Sequence, residues 1–211
     1  MAGVIARLRA EIAGLNERVF ASPVLRNPDL DSVKRFIANQ LYIVPHDLKA
    51  LSAAMAKARS DDEISFVKSL VDGDYAAARA LAEMAKELGV SFRWEALDPY
   101  AVAYTHFLSW LALNGTMGDL AVAMTVNLPV WGEACARLSS WLKANGFRST
   151  GFLDLFSGPY DEMEKAAESI AERYYDYPRY LFIARAIQSY ECSFWFSISG
   201  SNPGECRRAV A

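Results

Sequence analysis

Apolar residues in this chain recur at three- and four-residue steps, and no stretch shows a sustained two-residue alternation bounded by hairpin turns. That rhythm leaves a helical architecture as the way to bury them. Over residues 4–20, Val4, Ile5, Leu8, Ile12, Leu15 and Val19 share one helical face. Ser22-Pro23 and Asn27-Pro28 break it. A second helix is expected from about residue 30, carrying Val33, Phe36, Ile37 and Gln40, with Pro45 ending or kinking it because proline has no amide to donate. An alanine-rich helix over 46–59 should start afresh. Ser60-Asp61-Asp62-Glu63 then caps another, Gly73-Asp74 interrupts it and Gly89 stops it. Asp98-Pro99 opens a helix to Asn114, residues 117–143 form a segment kinked at Pro129, and helices over 151–175 and 178–199 close the series. The expectation is one all-α domain over 1–211, a multi-helix bundle of about seven to nine helices joined by short loops.

The bulk chemistry narrows the partners. Just over half of the 211 residues are hydrophobic, and the net charge is −3 with no Lys/Arg block, so neither nucleic acid nor an anionic membrane is an expected partner. The N-terminal segment carries charges every few residues instead of an apolar leader, and no later segment offers an uncharged apolar run of membrane-spanning length. A soluble, cytoplasmic protein is expected. Cys135, Cys192 and Cys206 are widely spaced, odd in number and form no CxxC pair, which argues against a disulfide framework or structural zinc.

Glu191 stands out because its neighbours in QSYECSFWF are aromatic or small. On a helix it shares a face with Ala184, Ile187, Gln188, Trp195 and Ile198. A carboxyl in such surroundings resists ionisation, so its pKa moves toward the range useful for proton transfer at neutral pH. The competing reading is a core glutamate paired with a tyrosine or with Arg185. Only His46 and His106 are available as imidazoles, too few for a di-iron centre in a helical bundle, so no metal is expected. His46 should sit at a helix start. No nucleophile elbow, phosphate loop or dinucleotide glycine pattern occurs, and no cofactor is expected. Tyr104, Trp110, Trp131, Phe156 and Tyr190 are able to stack on a flat heterocycle, although aromatic residues at helical spacing more often fill a core.

Three stretches resemble the TenA/Thi-4/PqqC family, whose fold is that of haem oxygenase. Residues 98–138, DPYAVAYTHFLSWLALNGTMGDLAVAMTVNLPVWGEACARL, are similar to its Ala-Tyr-Thr helix, Gly-bearing turn and long proline-containing helix. SYECSFWF, residues 189–196, resembles its C-terminal Tyr-Glu-x-x-Phe-Trp signature. FIANQLYIVPHDLKA, residues 36–50, carries its Phe-x-x-x-Gln pattern and echoes the pyrroloquinoline-quinone branch. The resemblance implies an active centre with a cysteine nucleophile, a glutamate, an aspartate and two tyrosines, acting on an aminopyrimidine released from damaged thiamin. Glu191 matches the glutamate and Tyr104 one tyrosine. Asn127 falls at the nucleophile's place, Leu41 at the aspartate's and Phe156 at the second tyrosine's, with Gln40 and Trp131 as further binding residues. Cys135 lies eight residues beyond Asn127, about 12 Å along a helix, too far to replace it.

Three functions stay open on these residues. One is a divergent thiaminase II-like hydrolase of an aminopyrimidine or thiamin-related heterocycle, using Glu191 and Tyr104 without a cysteine. A second is a non-catalytic paralogue that binds a ligand or partner, and the third a PqqC-like cofactor-independent oxidase. Family members are commonly oligomers, so a homo-oligomer, dimer or tetramer, is expected.

Overall fold

A computed structural model describes residues 3–209, with the side chains of 207–209 left aside, and its described elements are helical throughout. The first layer is α1 (Val4–Glu11) and α2 (Ala13–Val19), then the short α3 (Pro23–Arg26). Two long antiparallel helices follow, α4 (Leu30–Met55) and α5 (Asp61–Leu88). Next come α6 (Ala103–Asn114), α7 (Met117–Thr125) and α8 (Leu128–Ala144), the short α9 (Gly151–Asp154), α10 (Asp161–Arg173) and the central α11 (Tyr177–Ile198). This is an all-α, haem oxygenase-like bundle. No helix among the described residues is long and apolar enough to cross a membrane.

Several boundaries differ from the sequence expectations, each for a local reason. Helix α4 runs unbroken through Pro45, its Val33, Phe36, Ile37, Val44 and Leu51 face held against the rest of the bundle. Tertiary packing outweighs the single amide that proline withholds. Helix α5 likewise continues through Gly73-Asp74, since Leu70, Ala77 and Leu81 on either side are buried on one face. Conversely, the expected helix over 4–20 breaks at Ile12, and 117–143 divides at Val126-Asn127 rather than kinking at Pro129. There Pro129 takes a first-turn position of α8, where its missing amide costs nothing. Pro99 lies in a turn before α6.

Helix α11 forms the axis. Trp195, Tyr180, Ile187 and Ala184 are fully buried along it. Asp176 caps its start by accepting from the Arg179 amide, and Arg179 in turn clasps Asp119 at 2.8–2.9 Å. Asp119 belongs to the capping box of α7 with Thr116, so one buried carboxylate ties the starts of α7 and α11 together. At the other end Arg35 of α4 donates to the Ile198 carbonyl at 2.6 Å, and Ser197 donates to Asp98 at 2.6 Å. The register of α11 is thus pinned at both ends.

Beyond α11 the chain turns at Gly200, whose φ of 69° suits glycine, and a 3-10 segment over Pro203–Ala209 folds back. Cys206 comes to lie beside Cys192 with Cα atoms 5.8 Å apart, and the two are disulfide-bonded. This corrects the expectation that no disulfide forms. The 14-residue separation hides a chain reversal that spacing alone does not reveal. Cys135 is the free cysteine among the described residues and is buried.

Gly132 of α8 lets the chain after α9 approach closely: a Cβ there would collide with the Phe156 carbonyl and the Tyr160 hydroxyl. Gly132→Ala is therefore expected to destabilise the protein by about 1–3 kcal/mol. Urea unfolding checks this, and an unchanged midpoint would show that the segment around Phe156 yields freely.

Candidate active site

Helices α4, α5, α6, α8 and α11, with the α7–α8 junction and the segment after α9, enclose a cavity of about 100 Å3. That is far above the roughly 10–15 Å3 a single water requires, and it suits one small ring. Of the residues singled out in the sequence, Glu191, Tyr104, Asn127, Gln40, Trp131 and Phe156 line it. Leu41 does not; one position round α4 from Gln40, it packs into the main core cluster.

Glu191 is 3% exposed and has no cationic partner among the described residues. Arg185, the candidate counter-ion, lies exposed on another face of α11. Instead the Asn127 amide donates to one carboxyl oxygen of Glu191 at 3.1 Å, and the Trp195 indole donates to the other at 3.3 Å. Burial pushes the Glu191 pKa up to about 7, with the amides of Asn127 and Gln188 and the Trp195 indole opposing the shift. Such a group both accepts and returns protons near neutrality. Asn127 reaches it because the chain breaks between α7 and α8, leaving Asn127 at the cap of α8.

The apolar walls are built by rings. Trp131 packs edge-on to Phe156 at 5.7 Å and against Trp195 at 5.4 Å, while Phe152 and Phe194 fill behind. The Tyr104 hydroxyl contacts the Met124 sulfur at 3.6 Å rather than Glu191. Burial, then the nearby Asp47, Asp74 and Glu191, holds the Tyr104 proton on well above the usual tyrosine range. Of the other aromatic candidates, Trp110 is exposed and Tyr190 faces a separate surface groove near Cys206.

His46 and His106 stand outside the cavity. His46 lies within α4, where its Nδ1 bonds to the Tyr42 carbonyl at 2.7 Å; it does not start a helix. His106 Nε2 meets the Tyr42 hydroxyl at 3.0 Å. Cys135 is fully buried away from the lining, and burial with the nearby Glu191 keeps its thiol protonated well above the ordinary thiol range.

Two lining acids escaped the sequence reading. Asp47 and Asp74 come from the neighbouring helices α4 and α5. Asp47 follows Gln40, Ile43 and Val44 on one face of α4, a pattern concealed once the helix is broken at Pro45. Asp74 shares a face with Leu70, Ala77 and Leu81, a pattern concealed once Gly73-Asp74 is taken as an interruption. Continuing the helical period through both sites is the signal that finds them.

The model of the TENA/THI-4/PQQC family matches residues 25–200. Among solved structures, a TenA homologue from Pyrococcus furiosus superposes with a TM-score of 0.70 at 20% identity, covering 93% of this chain and 99% of that one. A TenA homologue from P. horikoshii OT3 gives 0.75 at 16% identity, over 95% and 100% of the two chains. A TenA family transcription regulator from Silicibacter sp. TM1040 gives 0.69 at 16% identity, over 94% and 97%. No curated protein matches the chain. At these identities the structural likeness speaks for the fold.

The raised Glu191 pKa has a stability consequence. The folded state holds a proton that the unfolded chain releases near 4.5, so stability falls as pH rises from about 4.5 to about 7. Glu191→Gln removes this dependence. Denaturant unfolding should show the variant gaining about 2.5 kcal/mol on the native protein between pH 5 and pH 8. A difference that does not change with pH would contradict the assignment.

Proposed function

We propose that this chain, which belongs to the TENA/THI-4/PQQC family, binds a small flat heterocycle of the aminopyrimidine or thiamin-related class in the Glu191 cavity and hydrolyses it slowly. The observation that carries this reading is a buried carboxyl, without a cationic partner among the described residues and with a pKa of about 7, facing a ring-sized aromatic cavity. Trp131 and Phe156, packed edge-on to each other, would form one aromatic wall against the ring, and Gln40 would supply an amide to a ring nitrogen. Asn127, at the place where the family resemblance puts a cysteine nucleophile, orients Glu191 and offers no covalent attack. Cys135 does not take over, because its thiol stays protonated and outside the lining.

In the proposed reaction Glu191 takes a proton from water, whose oxygen attacks the carbon bearing the amine. The carbon–nitrogen bond breaks, the proton returns to the departing nitrogen, and the products are an alcohol and ammonia. Without a covalent intermediate the turnover is expected to be slow. Incubation with aminopyrimidine substrates should release ammonia, with a rate rising as Glu191 ionises through about pH 7. Glu191→Gln should lose roughly a hundredfold or more. Equal product from both proteins would remove Glu191 from the mechanism. A second reading, binding without turnover, draws on Leu41 facing the core rather than the ligand; it predicts saturable binding of the same compounds with no ammonia released.

We also propose that the protein is a homo-oligomer. Trp110, Leu113 and Phe182 are exposed at 46%, 76% and 61%, and Phe107 stacks on Trp110 at 5.7 Å and meets Phe182 edge-on at 6.4 Å to give one apolar face of α6 and α11. A face of this kind fits self-association. Light scattering should report a multimer for the native protein and a monomer for a Leu113→Asp, Phe182→Asp double variant; a native monomer contradicts the proposal.

A further inference from the structure

The cavity contains a second acidic locus that the Glu191 mechanism does not use. Asp47 is 8% exposed, and half-buried Asp74 of α5 lies within electrostatic reach of it. Asp47 Oδ1 and Asp74 Oδ2 are both buried without a hydrogen-bond partner. Both side chains line the cavity, and none of the lining residues is Lys, Arg or His. Two carboxyls brought together out of water are costly unless a proton or a cation lies between them. Burial raises both pKa values, that of Asp74 to about 7; the Asp74 charge raises Asp47 further, while the Thr105 hydroxyl opposes the Asp47 shift. Among the described residues no group of three or more His, Cys, Asp or Glu is placed to hold a metal ion, so the pair lacks the donors of a metal site.

We infer that Asp47 and Asp74 anchor a protonated nitrogen group, an ammonium or amidinium carried by the ligand of this cavity, and so select for cationic ligands. This rests on the cavity being a ligand site, as proposed above. The fit follows from the lining. Gln40 and Asp47 lie two turns apart on one face of α4, about 10 Å along its axis. Tyr104 of α6 is within electrostatic reach of Asp47, Asp74 and Glu191, so all three acids border the space around one phenol ring. A ring held by Trp131 and Phe156 with a short basic arm fills such a space. Its charge replaces the proton that the pair carries in the empty protein.

Benzylamine and benzamidine, compared with their neutral counterparts benzyl alcohol and benzamide, test the inference by titration calorimetry. The cations should bind roughly tenfold tighter or more than the neutral compounds. Titrations near pH 6.5 in buffers of different ionisation enthalpy should report release of roughly one proton per cation bound. The groups facing the pair that titrate are Tyr104 from α6 and Glu191 from α11. Tyr104 stays protonated at this pH, and Glu191→Gln serves as the control for Glu191. Asp47→Asn and Asp74→Asn should each abolish both the cation preference and the proton release, while Glu191→Gln retains the preference. Cation preference that persists in Asp47→Asn, or neutral compounds binding as tightly as cations to the native protein, would overturn the anchor while leaving the pocket reading intact. Binding of none of the four compounds would overturn both.

Discussion

Three carboxyls, those of buried Glu191 and Asp47 and of half-buried Asp74, surround one small cavity, and no basic side chain joins them in its lining. Everything else about the site follows from that imbalance. An ion of this kind in a low-dielectric setting either keeps its proton or finds a partner, so the cavity is poised for proton exchange or for a positively charged occupant. The surrounding bundle holds the imbalance in place. Arg179 and Asp119 fix one end of α11, and Arg35, Ser197 and Asp98 fix the other, so Glu191 cannot swing to the surface to relieve its burial.

The two halves of the site differ in how they are satisfied. Glu191 receives one amide and one indole donor, which lower the cost of ionisation without abolishing it. The Asp pair has an unpartnered oxygen on each residue. The first arrangement suits a group that changes charge during a reaction, while the second suits a group that awaits a ligand. Tyr104 stands near both as a neutral phenol.

Much of this was legible in the sequence. The three- and four-residue apolar steps identified an all-helical bundle, and the contrast between Glu191 and its aromatic neighbours singled out the buried acid. Gln40, Asn127, Trp131 and Phe156 came from the order of motifs rather than from any periodicity. The missed parts share a cause. Packing overrides the local breakers at Pro45 and at Gly73-Asp74, and a helix ended at either site loses Asp47 or Asp74 from the face that reveals it. The Cys192–Cys206 bond was hidden for a different reason, because it depends on the chain reversing after Gly200. Leu41 shows the converse error: adjacency to Gln40 in sequence means about 100° of rotation on a helix, enough to take it out of the cavity.

The central claim is that an acid sealed beside a ring-sized cavity holds its proton up to neutral pH. Carbon-13 NMR of protein labelled at the glutamate side-chain carboxyls, with Glu191→Gln to assign the resonance, measures this directly. The account predicts a titration midpoint for Glu191 of about 7. A midpoint near the ordinary value of 4.5 would contradict it.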